Sequence, residues 1–164
     1  KKFPNIKILS FEPIEQTYIK QKKNITLNSF KNISVFNFGL SDKNSVVKMR
    51  SMFKKNIAQS GGFTVHNVSR KLKNNEVLQD CNLKVGDEII NLENKDICIK
   101  IDVEEHEKQT LYGIKRMLKN NKVFLQIELF PEHKDENFKF LNSHNFNLVR
   151  EIPGERKSDY HFLN

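Results

Sequence analysis

The chain opens on a short apolar run, Ile6-Lys7-Ile8-Leu9-Ser10-Phe11, that stops at Glu12-Pro13. Two β-branched positions and the abrupt stop predict a strand over 6–11. Pro13 suits the first helical position, where no amide hydrogen is needed. Ile14, Tyr18 and Ile19 then share one helical face. Ile33-Ser34-Val35-Phe36-Asn37-Phe38 predicts a second strand, closed by Gly39-Leu40-Ser41-Asp42, and Val46-Val47-Lys48-Met49 a shorter one. Residues 54–75 are polar and irregular, contain Gly61-Gly62, and read as a loop with partial helix. Asp87 to Leu92 reads as a short helix with Asp87 as its N-cap.

The second half is more regular. Ile97, Ile99, Ile101 and Val103 alternate onto one face of a strand. Leu111, Ile114, Met117 and Leu118 follow at helical spacing up to Asn120-Asn121. Val123 to Phe130 is apolar on nearly both faces, as a central strand of a covered sheet is. Phe138 and Leu141 mark one further helix, and Phe146–Ile152 and Tyr160–Leu163 a hairpin joined through Pro153-Gly154. Strands alternating with helices predict an α/β fold, a mainly parallel sheet with helices on both faces and one antiparallel strand from the final hairpin. Residues 1–164 read as a single domain.

Composition narrows the function classes. The 164 residues carry a net charge of +8, which invites a nucleic-acid reading. Of the 28 basic residues, however, 23 are Lys, scattered and without an aromatic stripe on a shared face. A basic nucleic-acid binder is therefore the least favoured class. No apolar run approaches the ~18 residues of a membrane span. Lys1-Lys2-Phe3-Pro4-Asn5 leads into nothing of signal-peptide character. Two cysteines, Cys81 and Cys98, make no disulfide framework and fit a reducing, cytoplasmic setting. Cys98 reads as buried packing. His66, His106, His133, His144 and His161 lack metal-ligand spacing.

Acidic residues stand at the ends of three strands: Glu12; Asp102 with Glu104; and Glu128. In open α/β sheets ligands bind beyond these carboxyl ends. A carboxylate after the second strand of a nucleotide fold is placed to accept two ribose hydroxyls. Each residue taken alone also fits a helix cap or a solvated loop.

The phrases Ser10-Phe11-Glu12-Pro13, Gly39-Leu40-Ser41-Asp42, Lys100-Ile101-Asp102-Val103-Glu104-Glu105-His106-Glu107, Gln126-Ile127-Glu128 with Pro131-Glu132-His133, and Asp159-Tyr160-His161-Phe162-Leu163 occur in this order. Together they resemble the FkbM family of S-adenosylmethionine-dependent methyltransferases. The resemblance implies a seven-stranded, Rossmann-like class I methyltransferase sheet and O-methylation of a hydroxyl on a sugar or other small metabolite. It implies that Glu12 holds the ribose of S-adenosylmethionine and that Ser41 and Asp42 lie beside its adenine. Asp102 would stand near the methionine end and the acceptor, with Glu104, His106, Glu128 and His133 lining the acceptor side. Asp102 and His106 are the first catalytic pair to test, His106 as a general base, with His133 in reserve. The other reading of His106 is a half-exposed helix histidine.

Two departures stand out. The family phrase has Gly where this chain has Glu105. The glycine-rich turn that follows the family's first strand is absent, since none of the eleven residues before Glu12 is Gly. The expectation is a domain truncated at its N-terminus, the downstream part of a longer protein, that binds cofactor weakly alone. An incomplete or non-catalytic domain is the alternative function. A homo-oligomer remains open, and neither metal nor membrane is expected.

Overall fold

The computed structural model describes residues 5–54, 57, 58, 64, 65, 71, 73, 74 and 76–164. The chain divides into two compact units, Lys1–Lys84 and Val85–Asn164. Among the described residues the architecture is mixed α/β.

In the first unit, β1 (Ile8–Phe11) pairs in parallel with β2 (Ile33–Phe36), and α1 (Glu15–Leu27) connects them. The register, Ile8 opposite Ile33 through Phe11 opposite Phe36, brings Glu12 and Asn37 out at the same end. The helix starts later than Pro13 predicts. Ile14 is its N-cap residue and is buried, whereas Ile19 on the same expected face is exposed.

A second, antiparallel sheet joins β3 (Gly39–Ser41), β7 (Glu76–Val85), β4 (Ser45–Lys54) and β5 (Ile57–Ala58), with β6 (Thr64–Val65) also on β4. This corrects the sequence reading in two ways. The strand expected over 46–49 is ten residues long, and its equally long partner β7 was not expected. The reason lies in the side chains. Cys81 and Leu83 point inward while Asp80, Asn82 and Lys84 point out, so polar residues of low strand preference interrupt the apolar signal. Pairing supplies what propensity lacks, with Val47 opposite Cys81 and the Lys48 ammonium 2.7 Å from Asp80 on the facing strand. Ile14, Met49 and Cys81 form this unit's small core, with Val47 against it. Gly61-Gly62 and His66 lie outside the described residues.

In the second unit, α2 (Gly86–Ile89) leads to a four-stranded sheet of order β10 (Asn147–Ile152), β11 (Ser158–Leu163), β9 (Lys122–Leu129), β8 (Asp96–Ile101). β8 and β9 are parallel, and β11 runs antiparallel to β9, as the alternation and the terminal hairpin predicted. Val123, Leu125, Ile127 and Leu129 all face one side of β9 and are fully buried, as are Leu111, Ile114, Leu118, Leu141, Phe146 and Phe162. The opposite face is more open than a doubly covered strand requires, with Phe124 38% exposed. Cys98 lies on β8 among exposed positions rather than in the core.

The helix expected after β8 is two pieces, α3 (Glu107–Gly113) and α4 (Lys115–Lys119), broken at Ile114 (φ −120°, ψ 16°). Asp87 caps α4 rather than its own helix. Its Oδ2 accepts the Arg116 amide at 2.7 Å and its Oδ1 the Met117 amide at 2.9 Å, and Arg116 donates to the Asp87 carbonyl. The break exposes amides that a continuous helix would satisfy, and a carboxylate from a neighbouring element takes them. No helix of the described residues is long and apolar enough to cross a membrane.

Asp87→Ala should lower the unfolding free energy by about 1–2 kcal/mol, the range of a lost helix cap. Urea denaturation measures it, and an unchanged midpoint would show that water replaces the cap at no cost.

Candidate active site

In the first unit Glu12, Asn37 and Gly39 meet around one joint. The Glu12 amide donates to the Phe36 carbonyl at 3.0 Å, and Asn37 Nδ2 donates to the Glu12 and Pro13 carbonyls at 3.0 and 3.3 Å. The Ile14 amide donates to Glu12 Oε1 at 2.8 Å, so one carboxylate oxygen serves the entry to α1. Burial pushes the Glu12 carboxyl above its ordinary value, and the Ile14 amide pulls it part of the way back. Burial, then the charges of Glu12 and Asp80, pushes the Cys81 thiol up to about 11. That thiol is a packing group, not a nucleophile. Gly39 lets the joint close, since a Cβ there would come 2.7 Å from Leu83 Cδ2 and 3.5 Å from Pro13 Cγ. Ser41 is buried and donates to Asp42 Oδ1 at 3.1 Å, while Asp42 is exposed. Half-buried Phe11, Phe36 and Phe38 pack against one another with centroids 5.2–5.7 Å apart, and Lys84 Nζ lies 4.7 Å over Phe38. This corner offers a desolvated acceptor beside an aromatic wall.

In the second unit the acidic strand ends converge. Ile101 pairs with Ile127, which sets Asp102 beside Glu128. Burial works to raise the Asp102 pKa. The Lys100 ammonium at 2.7 Å and the charge of Lys157 outweigh it, and the carboxyl lies below its ordinary range. Lys157 closes the group. Its Nζ donates to Glu104 Oε2 at 2.8 Å and to Glu128 Oε2 at 2.7 Å, and sits 4.8 Å over the Phe130 ring. Burial opposes its charge, but the two hydrogen-bonded carboxylates prevail and hold the ammonium above its ordinary pKa.

The turn after Asp102 is unusual. Glu104 and Glu105 both have left-handed backbones, φ 51° and 70°. Glu105 thus occupies, with a side chain, a conformation that glycine adopts freely. Its amide donates to Glu107 Oε1 at 3.0 Å. Glu107 is 4% exposed, and burial raises its carboxyl pKa against its own amide, the Glu105 amide and the charges of His133 and Lys157. His106 is the half-buried N-cap residue of α3, and its carbonyl accepts the Thr110 amide at 3.1 Å and hydroxyl at 3.0 Å. His133 lies in the first turn of α5 (Pro131–Ser143), edge-on to Phe130 with centroids 6.5 Å apart.

The fold therefore gathers Asp102, Glu104, Glu128 and His133 around Lys157, Phe130 and Glu107, and starts α3 at His106. The sequence reading assigned no role to Lys157 or Glu107. Glu107 stood inside the quoted acidic phrase. Lys157 had no local signal, being one lysine of 23 in a polar turn. His144 caps α5, its Nδ1 2.8 Å from the Phe140 carbonyl, and His161 packs edge-on to Phe124. Among the described residues no group of three His, Cys, Asp or Glu side chains is placed to hold a metal ion.

Two open hollows of about 470 and 520 Å³ lie at the other end of the sheet, both lined by Lys119, Asn121 and Lys122. Their polar lining is largely occupied. Asn121 donates to the Leu92 and Met117 carbonyls and accepts the Lys95 amide, and Asn164 joins the Leu118 carbonyl to the Val123 amide. The acidic residues gather at the opposite end, the carboxyl end of the parallel strands, which is where ligands of open α/β sheets bind.

No protein-family profile and no curated protein matches the chain. Among solved structures, the fold is similar to that of a methyltransferase. That neighbour is the crystal structure of methyltransferase FkbM from Methylobacillus flagellatus KT, with a TM-score of 0.59 and 18% sequence identity. The match covers 95% of this chain but 36% of that one, so this chain spans about a third of its neighbour's length.

Two stability tests follow from this geometry. Because burial raises the Glu12 pKa in the fold, its contribution is fully present below the unfolded value of about 4.3 and lost as pH rises through the folded one. Glu12→Gln should therefore melt higher than wild type at pH 7 and alike at pH 4; equal melting temperatures at both would show no buried-charge penalty. Glu105→Gly should raise the unfolding free energy by about 0.5–1 kcal/mol, the relief of a left-handed backbone less the added chain entropy. Chemical denaturation showing a loss would mean that the Glu105 side chain earns its place.

Proposed function

We propose that this chain belongs to an S-adenosylmethionine-dependent O-methyltransferase that methylates a hydroxyl of a sugar or another small metabolite, on a Rossmann-like class I sheet. The observation that carries the reading is the placement of carboxylates at the ends of parallel strands, in a fold similar to a methyltransferase. Glu12 ends β1, and Asp102, Glu104 and Glu128 end β8 and β9.

The residues present fit the cofactor. Glu12 is acceptor-only when ionised, half-buried and beside three phenylalanines, which suits two vicinal ribose hydroxyls. Ser41 and Asp42 fit the adenine side, and Asp102, held ionised, fits the amino-acid end. Bound S-adenosylmethionine supplies an electrophilic methyl group on a sulfonium.

This chain's own residues align the acceptor and manage its proton. Glu104 and Glu128 each engage Lys157 through one oxygen, and a carboxylate offers further acceptor positions to hydroxyl hydrogens. A polyhydroxyl compound suits such a rim. His106 is the base that takes the acceptor proton, with His133, backed by the buried Glu107 carboxyl, as the other candidate. Acidic groups next to a cation serve binding more than rate, because the positive charge disappears as the methyl group leaves.

In the full-length protein, Glu12→Ala should weaken S-adenosylmethionine binding by about 1–3 kcal/mol, the usual loss for hydrogen bonds to a charged group. Isothermal titration calorimetry measures it. Absence of binding in the wild type would favour a non-catalytic domain. With an acceptor found by transfer of labelled methyl to a panel of sugars, His106→Ala should cut turnover about 10²–10⁴-fold with cofactor affinity kept. Unchanged turnover would pass the role to His133.

A further inference from the structure

Two consecutive left-handed residues that are not glycine cost roughly 1–2 kcal/mol each. Such a turn persists only where surrounding contacts over-determine it. At Glu104–Glu105 three hydrogen bonds do this. The Glu105 amide is held by Glu107, the His106 carbonyl by Thr110, and the Glu104 carboxylate by Lys157. The last ties the corner to another part of the sheet. Lys157 ends the connection between β10 and β11, and its second hydrogen bond goes to Glu128 on β9. Without a cation, Glu104 and Glu128 would meet as like charges beside Asp102.

The connection is shaped to deliver that ammonium. A Cβ at Gly154 would stand 2.2 Å from the Lys157 carbonyl oxygen, so any side chain there must push the Lys157 backbone away. Phe130 lies against the ammonium, 4.8 Å from its ring centroid, and two of its three hydrogens go to carboxylates.

We propose that Lys157 is a positioning residue: delivered by the Gly154 turn, it holds Glu104 against Glu128 and fixes the left-handed corner from which α3 and His106 start. Its catalytic meaning rests on the methyltransferase reading, but its test does not. The carboxylates also keep Lys157 protonated, so it does not compete with His106 for the acceptor proton.

The test is native-state amide exchange by NMR on the whole chain, comparing wild type with Lys157→Met, Lys157→Arg and Gly154→Ala. Lys157→Met and Gly154→Ala should speed exchange of the Glu105 amide about tenfold or more, with β9 amides changing less than about twofold. Lys157→Arg, which keeps the charge and can bridge both carboxylates, should return Glu105 to within about threefold of wild type. Unchanged Glu105 protection in Lys157→Met, or no rescue by Lys157→Arg, overturns the proposal. If Lys157→Met also loosens β9, Gly154→Ala decides, since it keeps the ammonium and moves only its backbone. A cofactor titration that fails while the Glu105 result holds removes the methyltransferase reading and leaves the lock; the reverse removes the lock alone.

Discussion

Two ionised carboxylates brought together at the end of a sheet repel each other unless a cation joins them, and here Lys157 is that cation. Its ammonium reaches Glu104 at 2.8 Å and Glu128 at 2.7 Å, joining the turn after β8, the end of β9 and the β10–β11 connection. The pair is partly buried, with Lys157 20% exposed, so solvent screens it less than an ordinary surface ion pair. Asp102 takes part of its depressed pKa from the same charge, and the left-handed corner leading to His106 is anchored through Glu104.

The first unit meets the opposite electrostatic problem. Burial leaves Glu12 desolvated, and the amide of Ile14 only partly compensates. A carboxylate kept in such a place costs stability, which is why Glu12 is a candidate functional group. Cys81 shares the penalty, its thiol pushed further from ionisation by the same charge. The two units thus hold acids by different means: one by pairing them, one by leaving an acid poorly solvated.

Buried chain ends and breaks are closed by side chains from elsewhere in sequence. Asp87 serves α4 across 29 residues, and Asn121 and Asn164 bind backbone groups of the α2–β8 connection, of α4 and of β9. This use of asparagine gives part of the chain's high Asn content a structural role at the end of the sheet away from the acids. The Asn121 and Asn164 side-chain amides there are already paired with backbone.

The sequence by itself determined the alternation of elements in the second unit, its core stripe and the acidic strand ends. Those signals are local: Val123, Leu125, Ile127 and Leu129 repeat every second residue, and a carboxylate after a strand is visible as such. It did not determine β7, because Asp80 and Asn82 interrupt an apolar pattern that only pairing with β4 completes. It did not determine that α3 and α4 are separate, since Leu111, Ile114, Met117 and Leu118 keep helical spacing across the break that Asp87 satisfies from afar. The exposure of Cys98 depends on what covers β8, not on its own strand. Glu105 was legible as a departure from glycine, but its left-handed φ was not. Lys157 was invisible because nothing in a five-residue polar turn says which ammonium will meet two carboxylates. That is decided only when the hairpin folds back and Gly154 leaves room for it, for ion pairing acts through space and carries no period along the chain.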